Sequence, residues 1–220
     1  MGFFEPPEGP EPGFAPFPEP SGWVEPPRNQ LGGPVPLRLL LARTEDVAVM
    51  VLGGAAYGSG FEFALSIRLR EGGSSDPSAD DPFGPNASEG GSGRQGLPGE
   101  LLRFGIELSD GRKATSLGVY GGEEEPPGPV LSPRGGHGGG GAWDVEYWLW
   151  PLPPPGPLAF VCEWPARGIA LTRAEIDAAI VRDAAESAET LWPSPPGGGY
   201  GVRFHSRTAR AGDETAGEGR

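Results

Sequence analysis

Between Phe61 and Leu69 the chain places Phe61, Phe63, Leu65, Ile67 and Leu69 at every second position, with Glu62, Ala64, Ser66 and Arg68 between them. Successive side chains of an extended strand point to opposite faces, so this period of two describes a β-strand with one face buried; a helix would scatter the same residues around its axis. The period recurs at Val35, Leu37, Leu39 and Leu41, at Val47, Val49 and Val51, and at Leu102, Phe104, Ile106 and Leu108. Short polar spacers separate the runs. Arg43-Thr44-Glu45-Asp46 joins the first two, and Ala55 to Gly60 joins the next pair. Asp110-Gly111 is a dipeptide suited to a tight hairpin turn, which predicts a return strand over Ala114 to Tyr120.

A second apolar region, Trp143 to Pro165, carries aromatic residues in both phases of the alternation. Trp143, Val145, Tyr147 and Leu149 line one face; Trp148 and Trp150 share the other with Asp144 and Glu146. Pro151, Pro153, Pro154, Pro155 and Pro157 predict a stiff turn at the rim of a sheet, because proline donates no backbone hydrogen bond. Read as a hairpin across that turn, the segment sets Trp148 and Trp150 beside Leu158, Phe160, Cys162 and Trp164, with Tyr147, Leu149 and Val161 opposite. Both faces then need cover. Thr172 with Glu175 reads as a capping box, and Ile176, Ile180, Ala184, Ala188 and Leu191 as the apolar stripe of a helix stopped by Pro193, which would supply the lid. The expected fold is mainly β: an antiparallel β-sandwich of about seven or eight strands, with one C-terminal α-helix packed on a sheet face or edge.

The 39 Gly and 28 Pro residues would signal disorder if spread evenly, but they gather in a few stretches. Residues 1–34 read as a Pro-rich, acidic arm bearing Phe3, Phe4, Phe14, Phe17 and Trp23, either extended or disordered. Residues 35–193 read as one domain interrupted by low-complexity excursions at 72–99 and 121–141. Residues 194–220 read as a Gly-rich, charged tail in which Gly201 to Phe204 offers one further extended stretch.

Several kinds of chemistry are disfavoured. A net charge of −13 opposes a surface that tracks phosphates, so nucleic acid is not an expected partner. One cysteine, Cys162, excludes an internal disulfide and a multi-cysteine zinc site. His137 and His205 sit in a glycine-rich stretch and in the tail, poorly placed to serve as a base for a nucleophile. Asp76, Asp80 and Asp81 do not have the spacing of an EF-hand, and the run ending Gly138 to Gly141 lacks the lysine and helix of a phosphate loop. No catalytic, cofactor-binding or metal-ligating residue is assigned. The start has neither a basic n-region nor an apolar run, so the expectation is a cytoplasmic protein without a membrane span. All but one of the 17 Lys and Arg residues are Arg, a choice electrostatics does not require and a GC-rich bacterial genome explains.

Pro26-Pro27-Arg28-Asn29, Leu41-Ala42-Arg43-Thr44-Glu45-Asp46-Val47, Gly60-Phe61-Glu62-Phe63, Asp110-Gly111-Arg112-Lys113-Ala114-Thr115 and Tyr147-Trp148-Leu149-Trp150-Pro151 together resemble an uncharacterised family of actinobacterial proteins, over roughly residues 23–193. The resemblance implies a bacterial source and domain limits. It implies no activity and carries over no site residue.

Function is therefore expected from surface. The first expectation is a non-enzymatic interaction protein that binds another protein through the aromatic arm, a strand edge or the Trp-rich hairpin. The alternative is a small-molecule or glycan-binding sandwich, with carboxylate-based hydrolysis by Glu146 and Glu163 as its enzymatic form. The candidate binding surface common to these readings comprises Trp23, Glu146, Trp148, Trp150, Glu163 and Trp164.

Overall fold

A computed structural model describes residues 21–70, 82–83, 101–118 and 125–193. The alternating runs form strands β2 (Gly33–Arg43), β3 (Val47–Tyr57) and β4 (Gly60–Leu69), joined in an antiparallel meander. Their turns are tighter than the sequence suggests, 44–46 and 58–59, and the first is closed by Thr44, whose amide donates to the Val47 carbonyl at 2.9 Å. β7 (Val130–Gly139) and β8 (Ala142–Trp150) complete a five-stranded antiparallel sheet in the order β2-β3-β4-β8-β7. The second sheet has four strands, β10 (Ile169–Asp177), β9 (Pro157–Trp164), β5 (Arg103–Glu107) and β6 (Lys113–Thr115), in that order and also antiparallel. A small ribbon pairs β1 (Gln30–Leu31) with β11 (Glu189–Thr190). The chain is a β-sandwich-like protein that has, among the described residues, one α-helix, α1 (Ala179–Glu186), near their C-terminal end.

The inward residues of the two sheets meet in one core. Phe63 lies at its centre, with ring centroids of Phe61, Phe104, Tyr147 and Phe160 5.2–6.0 Å away. Val49, Val51, Leu65 and Ile67 contribute from one sheet and Ile106, Leu158, Cys162 and Trp164 from the other. Burial of apolar surface on this scale is what holds the sheets face to face.

Four expectations need correction. Trp143 to Pro165 is not a hairpin: β8 pairs with β4 and β7, while β9 pairs with β5 and β10. The proline segment is a crossover between the sheets, which removes Trp148 and Trp150 from the face of Phe160 and Trp164. Each flanking strand is central in its own sheet and satisfies its backbone groups there. Hydrogen bonds from Leu152 N to the Ser59 carbonyl, from Ser109 Oγ to the Pro155 carbonyl and from Ala178 N to the Gly156 carbonyl pin the crossover.

The helix, second, is shorter than its stripe. Thr172 to Asp177 is strand, paired with Cys162 to Pro157, and Ala174 and Ile176 pack against the core. Over six residues the apolar positions fit a period of two as well as one of 3.6, and the open edge of β9 decides the outcome. Thr172 Oγ1 donates to the Ala170 carbonyl instead of capping, and Glu175 pairs with Arg173. The helix begins only at Ala179, where the Asp177 carboxylate accepts from Ala179 N at 2.9 Å. It buries Val181 and Ala184 against the ends of β2, β3 and β4, closing one end of the sandwich.

Third, 121–141 is not a loop throughout: 130–139 is β7, and Gly140-Gly141, both at positive φ, form the two-residue turn into β8. Consecutive positive φ angles are what such a turn requires and glycine supplies them without steric cost. The run also makes room, because a Cβ on Gly138 would overlap the Trp143 ring of the paired strand.

Fourth, residues 21–34 are part of the fold, with Trp23 and Asn29 buried. Within 72–99, Pro82 accepts a hydrogen bond from Leu102 N and Phe83 packs against the core. The return strand after Asp110-Gly111 covers only Lys113–Thr115. The readings of residues 1–20, the remainder of 72–99, 119–124 and 194–220, including Gly201 to Phe204, lie outside the described residues.

Candidate functional site

The six candidate residues do not form one surface. Trp148 is 0% exposed, Trp164 2% and Trp23 9%, so none offers a ring face to a ligand and the stacking platform expected of them does not exist. Trp164 belongs to the core, with the Arg167 guanidinium 5.7 Å from its ring centre. Glu163 is held by Arg103 at 2.7 Å on the outer face of the four-stranded sheet. Glu146 stands exposed and Trp150 half-buried on β8, in the other sheet. Glu146 and Glu163 therefore do not face a common substrate site, and the hydrolase expectation loses its geometry.

Trp148 is buried although it points away from the core, because residues 21–29 lie over it. Its indole Nε1–H donates to the Gly22 carbonyl at 3.1 Å, and Tyr57 meets its ring edge-on at 5.8 Å between centroids. The cover is tied down by Glu25, which receives Arg134 of β7 at 2.7 Å and Arg28 at 2.7 Å. Burial raises the Glu25 pKa, but the two arginines outweigh it and hold the carboxyl below its ordinary value. Tyr57 donates to Glu62 Oε1 at 3.2 Å. Desolvation, with the nearby Glu146 charge, raises Glu62 above its ordinary value despite that bond.

Further along the same outer face, Asp144 is the hub of a polar cluster. It accepts from Ser66 Oγ at 2.6 Å and from Arg68 Nη2 at 2.9 Å to each oxygen, with His137 Nε2 at 3.5 Å. Burial acts to raise its pKa, and the Ser66 and Arg68 hydrogen bonds more than reverse this. A serine, a histidine and an aspartate thus come together, but in the wrong order for nucleophilic catalysis. A base must stand between hydroxyl and carboxylate; here the carboxylate accepts the hydroxyl's hydrogen bond directly, Ser66 is fully buried and His137 is 85% exposed. The cluster is structural. Cys162 is also no nucleophile, since burial pushes its thiol up to about 12. Among the described residues no group of three His, Cys, Asp or Glu side chains is placed to hold a metal ion; Asp76, Asp80, Asp81 and His205 lie outside them.

The part of this face that lacks internal partners is at β2. Cross-strand register aligns Leu40, Met50, Ser66 and Asp144 in one row, Arg38, Leu52, Ala64 and Glu146 in the next, and Arg43, Ala48 and Arg68 on the other side. Leu40 is 54% exposed, and Met50 and Leu52 are half-buried. Arg38 and Arg43, exposed on either side of it, make no ion pair or hydrogen bond within the described residues. The neighbouring edge strands β2 and β10 each carry a register shift here, after Leu40 and between Ile169 and Thr172. An open cleft of about 320 Å³ lies between them, lined by Leu40, Arg43, Thr44, Ile169 and Thr172 among others. Leu171, 72% exposed, stands on the β10 side. Sequence reasoning passed over this strip by following only the inward phase. The signal was present in Leu39-Leu40-Leu41, where a leucine occupies the outward position, and in outward Met50 and Leu52.

Fold and site together describe a β-sandwich whose surface features are a cleft and a cationic, apolar strip at a sheet edge. Set against protein-family models, curated proteins and solved structures, the chain matches none of them.

Proposed function

We propose that the protein is a non-enzymatic interaction module that binds a segment of another protein along the β2 edge of its five-stranded sheet. The observation that carries this reading is Leu40, exposed between two arginines that have no partner among the described residues. In a chain of net charge −13, unpaired cations beside apolar surface suit a ligand that supplies acidic and apolar side chains. Of the three binding modes the sequence suggested, the Trp-rich one is weakened by the burial of Trp148 and Trp164, and the edge of β2 is favoured by exposure and by the adjacent cleft. The Arg-for-Lys bias and the family resemblance support a bacterial source; no helix among the described residues is long and apolar enough to cross a membrane.

The test compares full-length protein with Leu40→Asp as bait in lysate of an actinobacterium. Leu40 is on the surface, so circular dichroism and thermal midpoint should match between the two. A partner retained by the parent and lost by the variant supports the reading; partners retained equally, or none with either bait, refute it.

A further inference from the structure

The described chain begins at Ser21 on the very face that carries the unpartnered strip. Gly22 is fixed there by Trp148 Nε1, and a Cβ on it would touch Ser59, at the turn between β3 and β4. Residues 1–20 precede it and contain Phe3, Phe4, Phe14 and Phe17 with Glu5, Glu8, Glu11 and Glu19, and no Lys or Arg. Their composition is the complement of the strip: aromatic where the sheet offers Leu40, Met50 and Leu52, acidic where it offers Arg38 and Arg43.

The distances agree. A residue advances about 3.3 Å along a strand and neighbouring strands lie about 4.8 Å apart. From the 58–59 turn, the row of Leu52 and Ala64 is then about 14 Å away, the row of Leu40 and Met50 about 22 Å, and Arg43 about 27 Å. An extended chain spans at most about 3.3–3.6 Å per residue. Counted from Gly22 at the roughly 3.1 Å per residue of a polyproline path, five residues bring Phe17 to the Leu52 row, eight bring Phe14 to Leu40 and Met50, and eleven bring Glu11 to Arg43. The alternation Pro16-Phe17-Pro18-Glu19-Pro20 keeps such a path extended at low entropic cost.

We infer that residues 1–20 of this same chain dock on the strip formed by Leu40, Met50 and Leu52 between Arg38 and Arg43, as an intramolecular competitor for the partner segment. The regulatory half of this inference rests on the reading of the strip as a binding surface; the docking itself does not. A tethered segment acts at an effective concentration in the millimolar range, so even weak contacts suffice, and a partner must carry similar acidic and aromatic chemistry to displace it.

Photocrosslinking in the intact full-length protein tests this without any partner. With benzoylphenylalanine in place of Phe17, irradiation of a dilute sample should give adducts within one chain, mapped by mass spectrometry to Met50, Leu52 or Leu40. Exchanging Arg38 and Arg43 for Glu should lower the adduct yield about fivefold, the worth of two surface ion pairs. Adducts elsewhere on the fold, adducts only between two chains, no adduct, or a yield indifferent to the charge reversal would each overturn the inference. The two readings fail separately: a missing adduct with a Leu40-dependent partner leaves the interaction function standing, and the expected adduct with no partner leaves the docking standing.

Discussion

Replacing Trp148 by Ala should destabilise the protein by about 3–5 kcal/mol, the usual cost of deleting a buried Trp. The sequence pattern alone would forecast a small change, because position 148 is in the outward phase of β8, and surface substitutions away from special features stay within about 0.5 kcal/mol. The structure overrides that pattern. The ring is completely buried, Tyr57 packs edge-on against it at 5.8 Å, and its N–H satisfies the Gly22 carbonyl at 3.1 Å. Edge-to-face pairing adds about 0.5–1.5 kcal/mol to area burial and the hydrogen bond about 0.5–1.5 kcal/mol. Trp148→Phe separates these contributions: it keeps most of the apolar area, loses the donor, and should cost about 1–3 kcal/mol by leaving a carbonyl unpaired. Urea unfolding followed by circular dichroism measures both, with ΔΔG taken from the midpoint at constant m-value. Limited proteolysis should show faster cleavage near Arg28 in Trp148→Ala, since the cover over the ring loses its anchor. A loss below about 1 kcal/mol for Trp148→Ala, without new cleavage, would refute the assignment of residues 21–29 as the lid of this face.

Three further outcomes follow from other parts of the molecule. Gly33→Ala should lower stability by about 1–3 kcal/mol, the cost of overpacking, because the added Cβ would overlap the Ala184 carbonyl where α1 closes the sandwich; an unchanged thermal midpoint would contradict that docking. Glu62→Gln should stabilise the protein at neutral pH. The folded-state pKa of Glu62 is raised, so the native state binds more protons, and its ionised form opposes folding above that pKa. The gain should vanish as pH falls through the raised value to the unfolded one; equal gains at neutral pH and below pH about 4.3 would be inconsistent with desolvation as the cause. Cys162, buried in the core with its thiol pushed up to about 12, should react with a thiol reagent only at the rate of unfolding, and labelling of the native protein within seconds would show that the four-stranded sheet opens there.

The two chemical clusters show unequal legibility. That Glu163 needs a cation is readable from an acid set between Cys162 and Trp164 on a strand, but Arg43, Arg103 and Arg167 are equally open to it, and the pairing of β5 with β9 selects Arg103. That Asp144 would collect Ser66, Arg68 and His137 was not readable, since those residues lie on three strands whose pairing is set by the assembled sheet. The strip at Leu40 was half legible: its leucine out of phase is visible in the chain, while the lack of a partner for Arg38 and Arg43 among the described residues is a property of their neighbours.

By itself the sequence determined what depends on neighbouring residues. Period-two alternation marked β2, β3, β4 and β5, and Asp110-Gly111 marked a turn that the structure makes with Gly111 at a φ of 82°. Only the tertiary structure decided what depends on residues distant in the chain. It separated β8 and β9 into different sheets because each found strand partners on both edges, and it drew Thr172 to Asp177 into a strand because the edge of β9 had backbone groups to satisfy. It also covered Trp148 with residues 21–29, whose composition suggested an arm apart from the domain. A local pattern specifies which face of an element is apolar; what comes to cover that face is settled by competition among all the surfaces the folded chain brings together.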